Sequence, residues 1–97
     1  EDLIRLEDVL KIMSATKENE LHTKITSIDV SKKNDYKITM QEEKKTIYLG
    51  DTSNLSAKMI NIQGILNDNQ GKEGNIYVNG DFNKKFRPYF RERILPW

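Results

Sequence analysis

Ninety-seven residues with 36% hydrophobic and 32% charged side chains suit one modest globular domain rather than a disordered chain. Lys and Arg number 16 against 15 Asp and Glu, a net charge of +1, so no global field selects an acidic partner. There is no cysteine, which excludes thiolate metal sites and cysteine nucleophiles, and no apolar run approaches a membrane span.

Residues 2–16 place Leu3, Leu6, Leu10 and Met13 at helical spacing on one face, with Ile4, Val9 and Ile12 widening the stripe. This predicts an amphipathic helix supported by Glu7–Lys11 and Asp8–Lys11 pairs. Lys17–Glu20 is a polar break. From 21 to 31 the period changes to two: Thr26, Ile28 and Val30 alternate with Ser27, Asp29 and Ser31. A charged turn at 32–35 leads to a second strand, where Tyr36, Ile38 and Met40 face inward. Glu42-Glu43-Lys44 turns the chain into a third strand at 45–49, with Ile47 and Leu49 inward. The connections are too short for crossovers, so these strands form an antiparallel meander with one wet face.

Gly50 supplies the positive φ of a sharp reversal, and Thr52 or Ser53 can cap the helix that follows. Leu55, Met59, Ile62 and Leu66 recur at helical spacing, and Gly64 within that helix reads as a close-packing position. The helix fades over Asn67–Gly71. A fourth strand at 75–79 points Ile76 and Val78 inward and Tyr77 outward. Asn79-Gly80 signals a hairpin, or the start of a loop that runs through 81–85. A last extended segment covers Phe86–Glu92; 92–97 is expected as a disordered tail. The expected fold is α+β: two amphipathic helices on one face of a mostly antiparallel sheet of four or five strands, ordered helix-β-β-β-helix-β-β.

Catalytic chemistry finds no support. His22 is the single histidine and has no acid, nucleophile or second ligand placed beside it by sequence. The acidic residues are scattered and match no calcium loop, so no metal site is expected. Gly50-Asp51 lacks the glycines of a phosphate loop. Glu42-Glu43 and Glu18/Glu20 read as solvated turn charges, and Asn54-Leu55-Ser56 matches a glycosylation pattern only weakly. No cofactor is expected.

Residues 82–97 stand apart. They hold Phe82, Phe86, Tyr89, Phe90 and Trp97, five of the eight aromatics, interleaved with Lys84, Lys85, Arg87, Arg91 and Arg93. One reading is an edge strand whose aromatics cover the sheet and whose cations oppose aggregation. A second is a protein-docking edge, since Tyr, Phe, Trp and Arg dominate interface hot spots and an unpaired strand accepts another. A third is a small single-stranded nucleic-acid-binding domain using stacking and phosphate contacts. The near-neutral charge places docking ahead of nucleic acid.

Several pieces resemble the C-terminal β domain of FtsQ/DivIB bacterial cell-division proteins: Ile28-Asp29-Val30, Tyr36 to Met40, Ile47-Tyr48-Leu49-Gly50-Asp51, Leu55 to Met59, and Gly74-Asn75-Ile76-Tyr77-Val78. In that family a strand ending in Leu-Gly leads into a helix with an early Lys, and then into a Gly-x-Ile-Asp-Leu-like strand. Tyr77 stands here where Asp is frequent, and 81–85 resembles an insertion. The resemblance covers roughly residues 3–91. It implies a single-pass membrane protein whose extracytoplasmic side carries a POTRA domain and then this domain, at the division septum. It also implies a non-enzymatic divisome scaffold that binds FtsL and DivIC (FtsB in other bacteria). The docking residues it implies are Ile76, Tyr77, Val78, Asn79 and Gly80, extending into Phe86, Arg87, Tyr89, Phe90 and Arg91.

Overall fold

A computed structural model describes residues 2–94. In chain order the elements are α1 (Asp2–Glu18), a short 3-10 helix (His22–Lys24), β1 (Ser27–Asp29), β2 (Tyr36–Met40), β3 (Lys45–Gly50), α2 (Leu55–Asp68), β4 (Gly74–Tyr77) and β5 (Tyr89–Glu92). The protein is α+β, as the periodicities imply. The five strands lie side by side in sequence order, β1 to β5. Every neighbouring pair is antiparallel except β3–β4, which α2 joins as a parallel pair. The sheet is therefore mixed.

Ile38, Ile47 and Ile76 pair across β2, β3 and β4 and are fully buried. Met59, Ile62 and Leu66 of α2 and Ile12 and Ala15 of α1 pack into the same cluster, so both helices cover one face. Period-two alternation on the strands and a helical stripe on α2 meet in one core. A bulge at Tyr36/Lys37 leaves Leu49 without a partner in either ladder, while its side chain stays in the core. Gly50 follows at φ +78, and an added Cβ there would lie 3.0 Å from that of Asn79.

Several expectations need correction. Helix α1 does not rest on its leucines. Leu3, Leu6, Leu10 and Met13 are 52–75% exposed, and the helix lies on Asp8, Ile12, Ala15 and Thr16 instead. Burial of the polar pair has a reason: Tyr36 Oη donates to Asp8 Oδ2 at 2.5 Å, and Thr16 Oγ1 donates to the Met13 carbonyl. Ile4 belongs to that predicted stripe, but its side chain lies outside the described positions.

The strand expected over 21–31 shrinks to three residues, because His22–Lys24 forms the 3-10 turn and buries Leu21 before it. Neither Thr52 nor Ser53 caps α2. The N-cap is Asn54, left-handed at φ 53 with no side-chain cap, while the Asp51 carboxylate accepts from Ser53 N and Oγ. Gly64 is not a close-packing position, for a Cβ there would meet nothing within 4 Å.

A long loop from Val78 to Pro88, not a two-residue hairpin, joins β4 to β5. Phe82 packs against the core, and Phe86 lies over Gly80, where a Cβ would fall within 2.0 Å of its ring. The last strand is shorter than expected, starting at Tyr89. The beginning of the expected tail is held: Glu92 belongs to β5, and Arg93 donates its backbone N–H to the Glu73 carbonyl and pairs with the Glu73 carboxylate at 3.2 Å. Leu95, Pro96 and Trp97 lie outside the described residues.

Candidate functional site

The site begins with which groups β5 turns outward. Tyr77 pairs with Tyr89, Ile76 with Phe90, Asn75 with Arg91 and Gly74 with Glu92. The Arg93 amide bonds to Glu73 just beyond, which sets the alternation. Tyr89 and Arg91 use their N–H and C=O on β4, and those of Phe90 and Glu92 point to the free side. Among the described residues no strand lies on that side. Pro88 holds the preceding outward position and has no N–H, so the free donors begin at Phe90.

Side chains divide by face. Phe90 turns toward the helices and packs against the core, with the Lys45 ammonium 5.6 Å from its ring centroid. Tyr89 and Arg91 lie on the open face. Tyr89 is 50% exposed, its inner ring face stacked on Tyr77 at 4.7 Å, and Tyr77 in turn stacks on Tyr48 at 4.8 Å. The Lys37 ammonium closes the far end of this row, 5.2 Å from the Tyr48 centroid.

The predicted docking residues are thus spread over different environments. Ile76 and Val78 are fully buried and offer no side-chain surface, Tyr77 is half-buried within the open-face row, and β4 is flanked on both sides, so its ladder is not free to pair. That part of the predicted site is corrected: β4 supports the edge and is not itself one. Gly80 and Phe86 lock the loop against each other. Asn79, Arg87, Tyr89 and Arg91 are exposed, and Phe90 contributes its outward backbone.

Sequence reasoning missed three participants. Tyr48 joins the aromatic row from β3, and its outward phase in the alternation was the available signal. Lys45, 2% exposed, shares the inward phase of Ile47 and Leu49, and its ammonium donates to the carbonyls of Glu43 and Lys72. Burial lowers its pKa. Lys58, 1% exposed, donates to the carbonyls of Leu49 and Asp51, both at 2.9 Å, and to Asp51 Oδ1 at 3.2 Å. It fastens the bulge to the start of α2. Burial lowers its pKa too, against the pull of Asp51.

His22 is exposed on the 3-10 turn. A cleft of about 270 Å³ at the sheet end is lined by Lys44, Lys45, Glu73 and Arg93, among others. Another, of about 570 Å³, lies between α1 and the 3-10 turn, beside Met13 and His22. Among the described residues no three His, Asp or Glu side chains gather to hold a metal ion, and no helix is long and apolar enough to cross a membrane. Comparisons with family models, curated proteins and solved structures found no match to this chain.

Proposed function

We propose that this chain is a non-enzymatic interaction domain that takes an extended segment of a partner protein onto the free edge of β5. The observation that carries this reading is the edge itself: outward N–H and C=O groups on Phe90 and Glu92, bordered by half-exposed Tyr89 and exposed Arg87 and Arg91. Backbone pairing supplies affinity in strand addition, and alternate side chains supply selectivity. The helix-backed core holds the edge rigid, so little ordering is needed on this side of the complex. Together with the FtsQ/DivIB-like motifs, the edge supports a role as a divisome scaffold on the extracytoplasmic side of a bacterial membrane. Its partners there are proteins of the FtsL and DivIC/FtsB kind.

The test is titration calorimetry against the purified extracytoplasmic FtsL–DivIC pair of the same bacterium, comparing the chain with Tyr89→Ala/Arg91→Ala and with Glu92→Pro. The double variant should lose about 2 kcal/mol or more of binding. Glu92→Pro removes a donor that points away from β4, so it blocks the added strand while leaving β5 paired. Full binding by both variants, with unchanged circular dichroism, removes the assignment. Binding of an oligonucleotide with steep salt dependence, and no binding of the protein pair, replaces it with the nucleic-acid reading.

A further inference from the structure

The tyrosine row has two unlike ends. Tyr48, Tyr77 and Tyr89 occupy paired positions on β3, β4 and β5, and their rings lie 13° and 18° from parallel. Their separations of 4.8 and 4.7 Å match the spacing of strands in a sheet. The row is therefore what a sheet produces when tyrosine fills successive paired positions. Lys37 closes the β2 end. At the β5 end Tyr89 borders the free edge, and among the described residues no strand of the chain supplies the next position in the row, which an added strand would fill.

We infer that this edge selects its partner segment by a three-residue side-chain pattern: an aromatic beside Tyr89, an apolar residue beside Phe90 and a carboxylate beside Arg91. Run antiparallel to β5, the partner carries acidic–apolar–aromatic; run parallel, it carries the reverse. The inference rests on the strand-addition reading above and adds the chemistry of the occupant.

Each position follows from what borders it. A ring placed one strand beyond Tyr89 continues the stack at the spacing the row already has. A cation would meet the same ring face, as Lys37 does at the other end, but it would sit beside exposed Arg87, Arg91 and Arg93 and be repelled. Arg91 shares the open face with Tyr89, two residues on, and makes no ion pair among the described residues. A carboxylate there gains a charge-assisted contact. Phe90 lies between them on the opposite face, at the margin of the core, where a neighbouring apolar side chain extends buried surface. Because side chains alternate, sliding the segment by one residue moves all three groups to the wrong face.

The experiment uses short synthetic peptides alike in composition, with the central triplet Glu-Val-Tyr, Tyr-Val-Glu or the off-pattern Glu-Tyr-Val. Fluorescence anisotropy measures affinity, and amide hydrogen exchange at Phe90 and Glu92 reports strand addition. One patterned peptide should bind roughly tenfold tighter than the off-pattern one. Tyr89→Thr should erase the difference and Tyr89→Phe should retain it, with both variants folded by circular dichroism. If all three triplets bind alike while protecting the Phe90 and Glu92 amides, or if Lys in place of Tyr binds tighter, the pattern is wrong and strand addition stands. If no peptide protects those amides, the strand-addition reading falls and the pattern with it.

Discussion

Replacing Lys58 with Met probes the junction between β3 and α2, on which the rest of the sheet depends. The side chain is 1% exposed, and Met keeps its length and apolar stem, so the packing change is small. What is lost is the donor. The Leu49 and Asp51 carbonyls, each 2.9 Å from Nζ, are left without their partner, and a buried polar group so stranded costs about 1–3 kcal/mol. The Asp51 side chain is 52% exposed and regains water, so its ion pair adds less than about 1 kcal/mol. Relief of the ammonium's desolvation, the main cause of its lowered pKa, offsets part of the loss. The net cost is about 2–3 kcal/mol. For a domain of this size the melting temperature should fall by roughly 10–20 °C. Scanning calorimetry at neutral pH measures it directly. A melting temperature equal to or above wild type would make Lys58 a tolerated burial and not a clamp.

Two further substitutions test the core and the corrected helix. Tyr36→Phe strands the Asp8 carboxylate under α1 and should cost about 1–3 kcal/mol by denaturant titration. The hydrogen bond to Asp8 raises the Tyr36 pKa above 10.0, so the folded chain holds that proton after the unfolded chain has released it. The advantage of wild type over Tyr36→Phe should therefore stay level below about pH 10 and shrink as pH rises through the folded-state pKa; an advantage that grows above pH 10 would contradict the assignment. Gly64→Ala has open space around the new methyl and an ordinary helical backbone. It should stabilise the chain by about 0.5–1 kcal/mol, and a destabilised variant would return Gly64 to a packing role.

Much of this fold is legible in the sequence because strands and α2 carry unambiguous periods. Ile38, Ile47 and Ile76 sit where the alternation puts them, and Leu55, Met59, Ile62 and Leu66 lie along α2 as their spacing requires. Helix α1 misled because it has two apolar sides. Leu3, Leu6, Leu10 and Met13 are the stronger signal by hydrophobicity. The side that docks holds Ile12 and Ala15 beside Asp8, and it is selected by the need of buried Tyr36 for an acceptor across 28 residues of sequence. No local pattern encodes that need.

Charge hid Lys45 and Lys58 in the same way. Each stands at an inward position, and each is tolerated because main-chain carbonyls freed by a turn or bulge lie within its reach. For the site, composition picked out the aromatic and basic stretch, and the whole of β5 lies within it. Composition could not show that Phe82 and Phe86 are spent on pinning the loop, nor that Tyr48 supplies the far ring of the row. The first depends on how the loop folds back on the core, and the second on the register of β3, β4 and β5.

Amide hydrogen exchange along β5 of the free chain is the most direct measurement of whether its edge is open. Exchange should be slow at Tyr89, Arg91 and Arg93, which donate to β4 and its extension, and fast at Phe90 and Glu92. Slow exchange at Phe90 and Glu92 in the free, monomeric chain would mean that the edge is already occupied and closed to a partner strand.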